Sequence, residues 1–263
     1  MKTKKSPILK TVPIHPILTV ENLCVDYRNL RALENITLSF NPGSLTAIVG
    51  PNGGGKSTFL KTIAGQQKQT SGSIHFHNSE KNSIAYLPQS ADIDRSFPIS
   101  VGDVVAMGLC PSVGFFKSFS SQDRHKIQQA LESVGLSDCI DRPIHCLSGG
   151  QFQRVLFARI SLQNAQIILL DEPFAAIDGA TMDILADILT QWQSLGKTIL
   201  TVLHDMEIVR DYFPSTLILA RHTVAYGETK EVLTRENLRQ AKLQCISWDI
   251  EPQTIKKPIT MGA

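Results

Sequence analysis

Apolar and polar positions alternate over residues 17–27 (ILTVENLCVDY), and β-branched residues recur over residues 32–40 (ALENITLSF). Both runs predict strands. LTAIVG is a short apolar run ending in glycine, which predicts a short buried strand. KSTFLKTIAG predicts a helix that stops at Gly65. SGSIHFH and NSIAYLP are two further strand candidates. From Ala91 to about Ile160 the period becomes helical, in VGDVVAMGL, in SQDRHKIQQALESVG with Ser121 as its candidate N-cap, and in GGQFQRVLFARISLQ. Strands and helices then alternate: QIILLDEP, TMDILADILTQWQSLG, KTILTVLHD and STLILAR. That order predicts a parallel sheet with covering helices, interrupted by a helical insert. From about Gly227 one helix candidate remains, TKEVLTRENLRQAK. The stretch after Leu243 has Trp248 and two prolines and no clear period.

Composition narrows the class. A chain of 263 residues, 42% hydrophobic and 19% charged, is ample for a soluble globular core. The net charge of +2 gives no case for a nucleic-acid partner. Cys24, Cys110, Cys139, Cys146 and Cys245 are odd in number and lack CxxC spacing, which argues against a disulfide framework or a structural zinc site. MKTKKSPILK is basic but no signal-length apolar run follows, and Pro13 and Pro16 break what comes next, so a disordered extension is expected there. No apolar run approaches the ~18 residues that span a bilayer.

Two glycine-rich stretches carry chemistry. GPNGGGKST, Gly50 to Thr58, fits G-x-x-x-x-G-K-[ST] between a predicted strand and a predicted helix. Its backbone N–H groups can curl around phosphate oxygens, and the helix start adds positive potential. Lys56 can reach the β- and γ-phosphates, and Ser57 can ligate Mg²⁺. IILLDEP places Asp171 and Glu172 at a strand end, where open α/β sheets bind ligands. Asp171 can organise Mg²⁺ and Glu172 can polarise water for attack. The second stretch, CLSGGQFQR, puts Ser148, Gly149 and Gly150 ahead of a helix as another anion cradle.

With the phosphate loop, LPQ, LSGGQ, LLDEP and LHD in this order, the chain resembles the ATP-binding subunit of ABC transporters from about Leu18 to Asn237. The resemblance implies an α/β fold: a P-loop NTPase core with an antiparallel β subdomain and an inserted helical subdomain at about residues 91–160. Residues 1–15 are then a flexible extension, 16–242 one ATPase domain and 243–263 a C-terminal tail. It implies two cassettes packed head to tail, each ATP lying between one subunit's phosphate loop and the other's LSGGQ. ATP contacts are then expected from Gly50, Pro51, Asn52, Gly53, Gly54, Gly55, Lys56, Ser57 and Thr58, and across the dimer from Ser148, Gly149, Gly150, Gln151 and Asp178. Tyr27 matches the aromatic that stacks on adenine, although Arg28 stands where glycine is usual. Glu172, His204, Gln89 and Lys56 match the catalytic positions, and Ser57, Gln89 and Asp171 the Mg²⁺ positions. AAID departs from the commoner SALD, which leaves Ala175 and Ala176 less defined than Asp178. An aspartate at Gly150 is expected to repel the facing phosphate without touching ATP affinity.

SADIDRSFPISVGDVVAMG, directly after Gln89, resembles the manganese, zinc and iron importer group. That implies integral membrane permease subunits, an extracytoplasmic metal-binding protein acting indirectly, and a peripheral place on the cytoplasmic face of the inner membrane. Siderophore, haem or another solute, or a non-transport ABC ATPase, are the alternatives. Phe97, Val101, Val104 and Met107 are candidates for the permease dock, or for packing inside the insert. His75 and His77, two apart on a strand, are read as polar sheet surface, with metal binding as the alternative. His145 and Cys146 are read as loop packing.

Overall fold

A computed structural model describes residues 15–28, 30–77, 84–89, 93–113 and 119–250. The expected extension before residue 15 and the chain after residue 250 lie outside the described residues. Nine strands form two sheets among them. β1 (Leu18–Tyr27), β2 (Leu30–Phe40) and β4 (Ser71–Phe76) make an antiparallel sheet ordered β2-β1-β4. β3 (Leu45–Val49), β5 (Ile84–Leu87), β6 (Ile167–Asp171), β7 (Thr198–Val202), β8 (Ser215–Ala220) and β9 (His222–Glu228) make a second sheet ordered β5-β6-β7-β3-β8-β9. Its first four pairings are parallel and β8–β9 is antiparallel.

The run pattern explains the central strands. Every residue of β3, β6 and β7 is buried, as parallel strands covered on both faces require. Their side chains still alternate between two cores. Ile48, Ile167, Leu169 and Leu200 point to a core shared with Phe40 of the antiparallel sheet and Phe59 of α1 (Lys56–Ile63). Ala47, Val49, Ile168 and Leu170 point to the opposite core. There α5 (Gly149–Leu162) and α6 (Gly179–Ser194) meet through Phe157 and Trp192, stacked with ring centroids 5.4 Å apart. Gly72 is needed where β4 crosses β1, since its φ is +86° and a Cβ would lie 2.4 Å from the Asn22 carbonyl oxygen.

Between β5 and β6 the described residues hold four α-helices, α2 (Val101–Ala106), α3 (Cys110–Val113), α4 (Ser121–Ser133) and then α5. α4 is capped by Ser120, not by Ser121 as the sequence suggested. Ser120 Oγ accepts from the Asp123 N–H, and Asp123 accepts from the Ser120 N–H. This reciprocal pair satisfies two helix-start groups and outcompetes a cap one residue later. Val101 and Val104 are buried in the insert's own core, whereas Phe97 is 64% exposed and Met107 47% exposed.

The C-terminal part differs most from expectation. TKEVLTRENLRQAK is two helices, α8 (Thr229–Val232) and α9 (Arg235–Ile250), with α7 (Met206–Tyr212) before β8. The break sits where Thr234 Oγ1 accepts from the Asn237 N–H and the Asn237 amide donates to the Val232 carbonyl. α9 runs past residue 242, with Ala241 and Cys245 buried against the sheet, so no break falls at the expected start of the tail. β9 had no sequence signal, because its first six residues are all half-buried and show no inside–outside alternation.

Candidate functional site

The phosphate loop joins β3 to α1. Gly53 and Gly55 hold φ of +74° and +87°, which lets the backbone N–H groups turn inward. The N-terminus of α1 has no side-chain cap and no acidic residue in its first turn. Its free N–H groups and helix-dipole potential therefore remain available to an anion. The Arg221 N–H donates to the Gly54 carbonyl at 2.7 Å and ties the loop to the end of β8. Lys56 is buried and donates to the carbonyls of Gly50 at 3.0 Å and Pro51 at 2.9 Å. Burial lowers its pKa, while Glu172 and Asp171 oppose that shift.

Asp171 closes β6 and is buried. Its carboxylate accepts from Ser57 Oγ at 3.0 Å and from the Tyr86 hydroxyl at 3.4 Å. Burial raises the Asp171 pKa, and the Ser57 hydrogen bond opposes that. Two hard oxygen donors side by side below a phosphate cradle suit Mg²⁺, which takes one or two protein oxygens and leaves the rest to water and phosphate. Glu172 follows in the left-handed region at φ +51°, as does Ala176 at +55°. Such a backbone costs about 1–3 kcal/mol per residue and gathers at working sites. Glu172 Oε1 lies 2.6 Å from His204 Nε2, which β7 delivers just past its end.

A cavity of about 480 Å³ brings these elements together, lined by Tyr27, Ala32, Asn52, Gly53, Gly54, Gly55, Lys56, Ser57, Thr58, Gln89, Glu172 and His204. Gly50 and Pro51 face Lys56 from behind the loop, and Asp171 reaches the cavity through Ser57. Tyr27 is 43% exposed at the rim, a free ring face. Arg28 itself takes the left-handed turn at φ +56°, the conformation that a glycine adopts without penalty. Ala32 and Tyr86 were not anticipated. Both sit on segments that the pattern read only as strands.

Ser148, Gly149, Gly150, Gln151 and Asp178 do not line that cavity. Ser148 caps α5, accepting from the Gln151 N–H at 3.1 Å while Gln151 Oε1 accepts from the Ser148 N–H at 3.0 Å. Asp178 caps α6 by accepting from the Thr181 N–H at 2.8 Å. Gly150 is buried between the two helix starts, and a Cβ there would lie 2.9 Å from Thr181 Oγ1. Gly150 is therefore not the clean site for an added carboxylate that the sequence suggested. Gly149 is exposed, with nothing nearer to a Cβ than the Ala176 carbonyl oxygen at 3.9 Å.

The remaining candidates stay outside. His75 and His77 are exposed, bonding Ser73 and Thr19, and the described residues hold no group of three or more potential metal ligands. His145 and Cys146 are exposed rather than packed, and Ile144 and Leu147 on either side are the buried residues. None of the five cysteines is in a disulfide.

A strand–loop–helix phosphate cradle with acids at the neighbouring strand end defines a P-loop nucleotide-binding domain. Residues 33–175 match the family model described as ABC transporter. The manganese transport system ATP-binding protein MntB of Bacillus subtilis (strain 168) is 40% identical over 225 residues, which is 84% of this chain and 90% of that protein. The manganese transport system ATP-binding protein MntA of Synechocystis sp. (strain ATCC 27184 / PCC 6803 / Kazusa) is 39% identical over 228 residues, 84% of this chain and 88% of that one. A solved metal-chelate type ABC transporter, in an inward-facing conformation, has a chain that matches with a TM-score of 0.77 at 33% identity, covering 87% of this chain and 90% of its own. This chain belongs to the ABC transporter family and carries its ATP-binding cassette.

Proposed function

We propose that this chain binds and hydrolyses MgATP as one of two identical subunits that power import of a divalent metal cation, manganese first among the candidates. The observation that carries the reading is the single cavity holding a ring face, a phosphate cradle, a glutamine and a paired glutamate and histidine. Tyr27 stacks on the base. The N–H groups of the Gly50–Thr58 loop and Lys56 hold the phosphates. Ser57, Asp171 and Gln89 would hold Mg²⁺, which would supply positive charge against the phosphate oxygens. Glu172 accepts the proton of the attacking water. His204 orients that carboxylate and offers its ring to the γ-phosphate.

Ser148, Gly149, Gly150, Gln151 and Asp178 lie away from this cavity and serve the ATP of the second subunit. The metal itself is transported by integral membrane permease subunits, loaded by an extracytoplasmic binding protein. The names of the relatives, both manganese transport proteins, support that cargo. Among the described residues no helix is long and apolar enough to cross a membrane, which suits a peripheral subunit on the cytoplasmic face. Exposed Phe97 and Met107 on the insert offer the permease an apolar contact.

The test has two arms. Glu172→Gln should bind ATP, hydrolyse it roughly 10²–10⁴-fold more slowly and sediment as a dimer with ATP and Mg²⁺. Monomer alone would defeat the two-subunit reading. Uptake by the assembled transporter should rise with manganese, zinc or iron. No response to any of the three would defeat the metal reading.

A further inference from the structure

Arg95 lies six positions after Gln89, which lines the nucleotide cavity, but does not line that cavity itself. Arg95 reaches instead to the start of α5. Its Nη2 donates to the Ile144 carbonyl at 3.3 Å and to the Leu147 carbonyl. Its guanidinium carbon lies 4.8 Å from the centre of the Phe152 ring. Leu147 immediately precedes Ser148, and Phe152 lies in the first turn and a half of the same helix. One side chain thus grips the LSGGQ segment from both ends.

The surroundings make Arg95 a link rather than filler. Asp94 Oδ1 accepts from the Ser96 N–H at 2.9 Å and from Ser96 Oγ at 2.7 Å, a local turn that fixes the direction in which Arg95 leaves the backbone. Downstream, the chain runs beside residues 140–144, with the Ile144 N–H donating to Ile99 and the Val101 N–H to Arg142. Upstream, a groove of about 440 Å³ separates Ile93, Asp94 and Arg95 from Gly149, Phe152 and Ala175. Arg95 makes no ion pair among the described residues, so its grip depends on the placement of two neutral carbonyls and a ring. Such contacts are directional and move as the carbonyls move.

We propose that Arg95 is a positioning residue that holds Ser148, Gly149 and Gly150 in place through the Ile144 and Leu147 carbonyls and the Phe152 ring. It thereby aligns this subunit's LSGGQ loop for its partner's ATP. This rests on the two-subunit reading above. Arg suits this place because one terminal amino group serves both carbonyls while the flat guanidinium lies on a ring. A lysine has the charge but not the flat face.

The experiment uses the full chain in the Glu172→Gln background, with Arg95→Met and Arg95→Lys compared to that parent. ATP affinity of the monomer, measured by calorimetry, should stay within about twofold of the parent in both, because Arg95 does not line the cavity. The ATP concentration that half-assembles the dimer, measured by sedimentation, should rise about 10- to 100-fold in Arg95→Met, the range expected for losing a charged hydrogen bond. Arg95→Lys should recover only part of it. With Glu172 intact, kcat per subunit should fall by a similar factor while monomer affinity holds. Unchanged assembly in Arg95→Met, or full recovery by Arg95→Lys, would overturn the proposal. Equal loss of monomer affinity and assembly would also overturn it, since that marks a merely structural role. If the parent itself does not assemble with ATP, the two-subunit reading fails first, and this inference fails with it.

Discussion

Gly150→Ala tests how tightly the start of α5 is held against α6, and its sign can be worked from geometry. Gly150 has ordinary helical φ, so alanine fits the backbone and should gain about 1 kcal/mol of helix propensity. The new methyl would lie 2.9 Å from Thr181 Oγ1 and 3.5 Å from its Cγ2. Thr181 is buried and β-branched, with few rotamers to escape into. Overpacking of this kind costs about 1–3 kcal/mol. The net effect is a loss of about 0–2 kcal/mol. In a Thr181→Ala background both offending atoms are gone, and the same substitution should become stabilising by up to about 1 kcal/mol. The coupling in a double-mutant cycle is therefore about 1–3 kcal/mol. Urea unfolding followed by fluorescence reads it, since Trp192 is buried on α6 and unfolding exposes it. Steady-state ATPase should fall in the single variant and recover in the double. An effect of Gly150→Ala that is the same in both backgrounds, within about 0.5 kcal/mol, would refute the close packing of the two helix starts.

Lys56→Ala should weaken ATP binding by about 10- to 100-fold, the worth of a charged hydrogen bond, and abolish turnover; calorimetry showing wild-type affinity would remove Lys56 from the phosphates. Tyr27→Ala should cost about 1–3 kcal/mol of nucleotide affinity by loss of stacking, and Tyr27→Phe almost none. Because a ring face reads no base edge, ATP and GTP should compete nearly equally for the wild-type chain; a preference above about a hundredfold points to hydrogen-bond readout elsewhere. Gly149→Asp, at an open position, should raise the ATP concentration needed for assembly of the Glu172→Gln variant while leaving monomer affinity intact; parallel loss of both would place the LSGGQ loop in the same site as the phosphate loop.

Local pattern by itself determined much of this protein. Short, largely apolar runs bounded by turn residues read as strands buried on both faces, and LTAIV, IILLD and TILTV are three of the four parallel strands at the centre of the sheet. The glycine-lysine-serine spacing of residues 50–58 dictated a phosphate cradle, because it depends on backbone freedom and one helix start, all within nine residues. Where the outcome turned on longer range, the sequence was silent. β9 exists because β8 offers it an edge, and its half-buried residues carry no alternation of their own. α9 continues beyond residue 242 because Ala241 and Cys245 find the sheet to pack on, although intrinsic periodicity there is weak. Val101 and Met107 share an apolar pattern, yet only packing against the neighbouring helices buries one and exposes the other. Arg95 reads as one more charge in a loop until the fold brings the Ile144 and Leu147 carbonyls, some fifty residues away, within reach of its guanidinium. Short-range chemistry is written in neighbouring residues; a partner that arrives through the fold leaves no periodic trace in the segment that meets it.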